Sequence, residues 1–352
     1  MSLRALIRAR VAQNGPISLA DYMAECLLHP EHGYYTTRVP FGAAGDFITA
    51  PEISQMFGEL VGLCLAQAWM DQGAPKPFTL AELGPGRGTL MADVLRATRG
   101  VPAFHEAATV TLVEASSQLA QQQRELLAGF DITHVASADE MADQPLFLIA
   151  NEFFDALPIR QFIRAGQQWR ETQVGLSGED LVLGQGPALP QPALKDRLQD
   201  TRDGDVVEYA PAVAPVVDVV GGRIARHGGI GLIIDYGDWR SLGDTFQALK
   251  DHQPVDPLAD PGAADLTAHV DFEALATAAP CEITRLTPQG VFLERLGITQ
   301  RAQSLATGLR GSALEAHIAA HRRLTHPDEM GNLFKVMGLF PAGCSPPPGL
   351  DQ

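Results

Sequence analysis

Four acids, Glu82, Glu114, Glu152 and Asp155, stand at or just beyond the ends of short apolar runs. The run that carries Glu82 hands over to Gly84-Pro85-Gly86-Arg87-Gly88-Thr89. A glycine turn between a strand and a helix lets the main chain approach a ligand closely, and the helix start beyond it offers free N–H groups. Three nucleotide-binding patterns compete for such a turn. A P-loop needs Gly-Lys-Ser/Thr at its end, which Arg87-Gly88-Thr89 does not supply. The dinucleotide fingerprint needs GxGxxG, whereas the sixth position counted from Gly84 is Thr89. The pattern present is GxGxG, with an acid two residues ahead of it. That suits a cofactor with an ammonium group and no pyrophosphate, S-adenosyl-L-methionine. Glu82 then accepts hydrogen bonds from the methionine end, while Gly84, Gly86 and Gly88 admit the ligand.

Glu114 follows the second strand, where a carboxylate accepts both ribose hydroxyls; NAD enzymes use the same device. After the third strand, Asp139 in Ser137-Ala138-Asp139 is placed to receive the adenine amino group, or else it is an exposed helix-start acid beside Glu140. The fourth strand runs into Asn151-Glu152-Phe153-Phe154-Asp155-Ala156-Leu157-Pro158. In open α/β sheets ligands lie off the carboxyl ends of the strands, at the switch in strand order. This segment is therefore expected to border the cofactor's methyl group, with Asn151 among the cofactor contacts. Two carboxylates beside two aromatic rings suit a guanidinium, by paired hydrogen bonds and stacking; the rings are equally suited to a core below the site.

A sulfonium methyl is already electrophilic, so neither a metal nor a covalent nucleophile is needed, and alignment of acceptor and methyl can supply roughly 7–11 kcal/mol. A guanidinium, with a pKa above about 12, needs a carboxylate to draw charge from the attacking nitrogen. Glu152 and Asp155 are the catalytic candidates. On the substrate side, Tyr34 and Tyr35 can cap the site or simply anchor their loop. Asp46, Thr49 and Glu52 precede a helix, where caps are common. His252 and His269 can act as bases, line a substrate groove or serve structure. His317 and His321 lie four apart on a helix without a third ligand, so no metal site is assigned.

The elements that must hold these residues alternate. Strands are expected at Phe78–Leu83, Thr109–Val113, Asp131–Val135, Leu146–Ala150 and Ile230–Asp235, with helices near 89–98, 116–128 and 211–227. Apolar strands separated by helices give a doubly wound α/β fold with a parallel sheet. Before it, residues 1–75 read as an N-terminal helical segment with a Gly- and aromatic-rich loop and a helix over 54–70. Residues 76–240 form the cofactor-binding core, into which Arg160–Val174 and Asp180–Leu183 insert antiparallel strands. Residues 241–352 read as a substrate-side insertion, irregular over 243–270, then a strand near Cys281–Leu286, helices across 291–324 and a last strand near Leu333–Phe340.

With these pieces assembled the chain resembles the MidA family. The matching segments are Gly15-Pro16-Ile17-Ser18, Gly33-Tyr34-Tyr35, Gly45 to Glu52, the glycine turn, Asn151 to Pro158, Asp265 to Phe272, Glu329-Met330-Gly331 and Phe334-Lys335-Val336. The resemblance implies a Rossmann-like class I methyltransferase that uses S-adenosyl-L-methionine, and its mitochondrial members methylate arginine in a core subunit of respiratory complex I. A protein-arginine methyltransferase acting on such a subunit is the reading it supports. The rivals are a cofactor-binding assembly factor without turnover, a methyltransferase for a small molecule, and an NAD-dependent oxidoreductase, which the GxGxG spacing disfavours.

Composition narrows the partners. The 352 residues are 45% hydrophobic and 19% charged, enough for a large core, and the formal charge is −16. That balance disfavours nucleic acid and anionic membranes, which need clustered Lys and Arg, and accommodates a cationic partner. No apolar run reaches membrane-spanning length. Cys26, Cys64, Cys281 and Cys344 form no CxxC pair, so disulfides and structural zinc are not expected. The N-terminus has no apolar signal core, and a bacterial cytoplasm is the expected location. The acid-free, Arg-bearing stretch over residues 3–12 keeps a mitochondrial matrix as the alternative. The sequence assigns no oligomeric state.

Overall fold

The computed structural model describes residues 1–37 and 48–352. Its main sheet is built from β1 (Phe78–Leu83), β2 (Ala108–Val113), β3 (Ile132–Val135), β4 (Leu146–Asn151), β5 (Gly229–Asp238), the short β6 (Glu282–Ile283) and β7 (Phe334–Phe340). The spatial order is β3-β2-β1-β4-β5-β7-β6. β1 to β5 run parallel, and β7 is antiparallel to both β5 and β6. The order reverses between β1 and β4, and at that point a crevice opens beyond the strand ends.

Every residue of β1 and β4 is buried, as a parallel strand covered on both faces must be. Alternation sorts the side chains. Phe147 and Ile149 join Phe78, Leu80, Leu232 and Ile234 against the helices Gln55–Asp71 and Thr89–Ala97. Leu146, Leu148 and Ala150 join Ala81, Leu83 and Ile233 against the helices Val213–His227 and Phe272–Ala278. The helix Gln55–Asp71, placed by its sequence position with the N-terminal segment, thus belongs to the sheet's own layer.

A second assembly sits over the strand ends. The helices Leu3–Asn14 and Leu19–Leu28 bury Ile7, Tyr22, Met23 and Leu27 with Ile159, Val174, Ala248 and Leu266. The predicted antiparallel insertion is a four-stranded sheet in Greek-key order, Asp180–Leu189, Gln168–Ser177, Arg160–Ala165 and Val206–Tyr209, with Ile17–Ser18 also pairing along Gln168–Ser177. Within residues 160–174, Gly166, with φ of 62°, opens a two-residue turn between the first two strands. The expectation of an irregular 243–270 is corrected. Gln247–Lys250, Gln253–Val255 and Asp265–Thr267 form a three-stranded antiparallel sheet. These strands of three or four residues are too short to show alternation, and Gln253–Val255 is exposed throughout.

Candidate active site

The glycine turn adopts a conformation that only glycine tolerates well. Gly84, Gly86 and Gly88 have φ of 60°, 51° and 87°. A Cβ on Gly84 would lie 2.9 Å from the Phe153 ring. Gly88 then caps the helix Thr89–Ala97 in the left-handed region. A residue the sequence did not single out locks this turn to the next strand. Gln123, fully buried, donates through Nε2 to the Gly86 carbonyl at 2.7 Å and to the Glu114 carboxylate at 3.2 Å. Its Oε1 lies 2.9 Å from Nε2 of His134. Glu114 also accepts the Ser116 amide at 2.7 Å, so its carboxylate is held at the end of β2. Gln123 is one of three successive glutamines, and nothing local distinguishes it from Gln121 and Gln122.

Two cavities meet at Gly84, Gly86 and Glu152. The smaller is bordered by Glu82, Asn151, Thr49 and Glu52. Glu82 is 3% exposed; burial pushes its carboxyl up to about 8, with the Met91 amide opposing and Glu114 adding. Glu82 Oε2 and Asn151 Oδ1 are buried without a hydrogen-bond partner among the described residues. Orphaned acceptors cost stability unless a ligand donates to them. Two of them in one cavity fit the ammonium of an amino-acid moiety. The larger cavity, of about 320 Å³, is mostly apolar, with Val113 and Leu119 on its walls, Glu114 and Ser137 at one side, and Tyr35, Asp155 and Asp265 at the other. A nucleoside between Glu114 and the apolar walls, with its amino-acid end at Glu82, fits this pair of cavities.

The acceptor segment leaves β4 by an unusual step. Glu152 has φ of 51°, a strained value for a side chain, costing about 1–3 kcal/mol. Its Oε1 accepts the Ala50 amide and the Asn151 side chain, both at 3.1 Å. Burial, and next the neighbouring Asp155, push Glu152 up to about 8. Burial pushes Asp155 up to about 6 against a hydrogen bond from the Tyr236 side chain. Asp155 Oδ1 is buried without a partner among the described residues. Behind the segment lies Asp235, another residue not anticipated as part of the site. It is fully buried and accepts the amides of Phe153, Phe154 and Asp155. Burial, then the charges of Asp155 and Glu152, raise its pKa well above the usual carboxylate range. Asp265 completes the acidic end and accepts the Tyr35 hydroxyl at 2.7 Å.

The remaining candidates divide. Tyr35 lines the larger cavity, whereas Tyr34 is fully buried in the N-terminal core. Phe154 is core and Phe153 packs beneath Gly84. Glu52 accepts the Thr89 hydroxyl at 2.7 Å and stands 3.7 Å from Arg87, tying the N-terminal segment to the glycine turn. Thr49 begins the short helix Ala50–Ile53 without a side-chain capping bond and faces the smaller cavity. Asp46 lies outside the described residues. Asp139 is exposed and borders neither cavity, and Ala136, Ser137 and Ala138 line the larger cavity instead. His252 is also away from both. With Asp251 it forms the left-handed tip of an exposed hairpin, φ 50° and 62°, a turn geometry and not a groove wall. His269 borders a third cavity of about 450 Å³ behind the segment, its ring 5.4 Å from that of Tyr236. His317 is held by the Ala302 carbonyl and His321 by Thr299.

A family model described as "Putative S-adenosyl-L-methionine-dependent methyltransferase" matches residues 60–291. The chain is 37% identical over 365 residues to the mitochondrial protein arginine methyltransferase NDUFAF7 of Danio rerio, covering 95% of this chain and 86% of that one. Against the Homo sapiens protein of the same name the identity is 34% over 363 residues, covering 94% and 82%. A crystal structure from Burkholderia thailandensis, bound to S-adenosyl-homocysteine, superposes with a TM-score of 0.84 at 28% identity, covering 99% of this chain and 92% of that one.

Proposed function

The chain belongs to this family of S-adenosyl-L-methionine-dependent methyltransferases, and within it we propose that the enzyme methylates an arginine side chain of a protein, held by Glu152 and Asp155. The observation that carries this reading is the buried acidic end of the larger cavity. Glu152 and Asp155 share it with Asp265, and one Asp155 oxygen has no donor among the described residues. The names of the relatives support it.

The bound cofactor supplies an electrophilic methyl group. The protein supplies position and charge. Glu82 and Asn151 accept from the ammonium, and Glu114, braced by Gln123, accepts from the ribose. Glu152, at the junction of the cavities, and Asp155 accept the guanidinium N–H groups and draw its positive charge away from the attacking nitrogen. Their raised pKa values make the ionised forms better bases for the proton that the nitrogen loses on methylation. An entering cation in turn favours those ionised forms.

The proposed acceptor is a core subunit of respiratory complex I, following the family resemblance. The proposed location is a bacterial cytoplasm, with a mitochondrial matrix as alternative. The helix Leu3–Asn14 packs with Leu3, Ile7 and Val11 buried. No described helix is long and apolar enough to cross a membrane. The test is quantitative mass spectrometry of methylarginine in the proteome with and without this protein. A peptide that gains methylarginine only in its presence is expected. Methyl gain confined to other residue types or small molecules would overturn the arginine assignment, and no gain at all would favour the assembly factor without turnover.

A further inference from the structure

Asp235 lines neither cofactor cavity, yet it organises the segment that does. Its Oδ2 accepts three successive main-chain amides, Phe153 at 3.2 Å, Phe154 at 3.0 Å and Asp155 at 3.3 Å. Oδ1 accepts the Tyr236 amide at 2.9 Å. Three successive N–H groups converge on one oxygen only where the chain curls around it, as in a main-chain anion nest. The curl begins at the left-handed Glu152, whose own amide donates to the Ile234 carbonyl at 2.9 Å. β5 therefore grips four consecutive amides, 152 to 155. On the far side of the curl, Asn151 and Glu152 face the smaller cavity.

We propose that Asp235 is a positioning residue for methyl transfer, its carboxylate holding the curl that sets Asn151 and Glu152 against the amino-acid end of the cofactor and Asp155 at the acceptor end. The role rests on reading residues 151–158 as the methyl-acceptor segment. It does not depend on which acceptor is used. Without Asp235 three amides, those of Phe154 and Asp155 buried, lose their acceptor and the left-handed step at Glu152 loses its restraint. The amino-acid half of the cofactor site should then fail while the adenosine half, built by Glu114, Gln123 and Ser137, persists.

The experiment is calorimetry on Asp235→Ala and Asp235→Asn with two probes, S-adenosylhomocysteine and 5′-methylthioadenosine, which lacks the amino-acid half. Thermal melts run beside it verify folding. Asp235→Ala should lose at least about tenfold in S-adenosylhomocysteine affinity and stay within about twofold for methylthioadenosine. Asp235→Asn keeps a carbonyl for the amides and should fall between Asp235→Ala and wild type. Equal losses for both probes, unchanged affinity for both, or an asparagine variant no better than alanine would overturn the proposal. If Asp235→Ala does not fold, Asp235→Asn decides alone, a selective loss supporting the role and a loss of both or neither removing it. A selective loss in a protein that methylates no arginine would sink the proposed acceptor and leave the role of Asp235 standing.

Discussion

The Asp235 carboxylate lies 3.0 Å from the Phe154 amide, so the acid near the end of β5 sits inside the curl that leaves β4. The two residues are 81 positions apart and meet because β4 and β5 are parallel neighbours with Ile234 opposite Asn151. The acids beside the curl therefore take their places from strand pairing, and each contributes a measurable consequence.

Gly86→Val should abolish S-adenosylhomocysteine binding while the chain still folds. Gly86 has φ of 51°, which valine does not adopt, and it borders both cavities. Unchanged affinity by calorimetry in a folded variant would show that the turn does not hold the cofactor.

Glu114→Ala should weaken S-adenosylhomocysteine binding by about 1–3 kcal/mol, because the ribose hydroxyls lose a charged acceptor. Gln123→Leu should act in the same direction, since Gln123 donates to both the Glu114 carboxylate and the Gly86 carbonyl. The double variant should lose less than the sum of the two, as both changes act on one contact. Full additivity in titration calorimetry would separate the two residues.

Glu82→Gln should stabilise the ligand-free protein at pH 8 and weaken the binding of S-adenosylhomocysteine. Burial raises the Glu82 carboxyl from 4.5 to about 8. The folded state therefore holds more protons than the unfolded one between those values. Stability falls as pH rises through that window and levels off above it. Removing the group should flatten the decline in melting temperature between about pH 4.5 and pH 8. Parallel melts of wild type and variant across that range would tell, and identical slopes would contradict the buried, donor-poor setting of Glu82.

Glu152→Gln should leave S-adenosylhomocysteine affinity within about threefold of wild type while single-turnover methyl transfer falls at least about tenfold. The amide keeps the shape and loses the charge that steers the acceptor. Asp155→Asn should behave similarly, and the double variant should lose less than the product of the two. Full transfer by Glu152→Gln with only a lower melting point would take this segment out of the chemistry.

The sequence by itself determined the framework: the parallel strands, the glycine turn, the acids at strand ends and the absence of a P-loop or dinucleotide spacing. These features are local. A strand buried on both faces is a mostly apolar run, and a turn that requires positive φ selects glycine, so each leaves its mark within a few residues. The residues that the sequence left unmarked are those whose partners lie far along the chain. Gln123 reaches Gly86 across 37 positions, Asp265 reaches Tyr35 across 230, and Asp235 reaches the curl across about 80. A side chain bonded to main chain or to a distant acid has no period and no motif, and Gln123 looks like its neighbours until it is buried. The same reason explains Asp139 and His252, acceptable by type but carried by the tertiary structure to exposed positions. Strand order decided which acids face one another, because only the pairing of β1 with β4 and of β4 with β5 brings the carboxyl ends of those strands into one crevice.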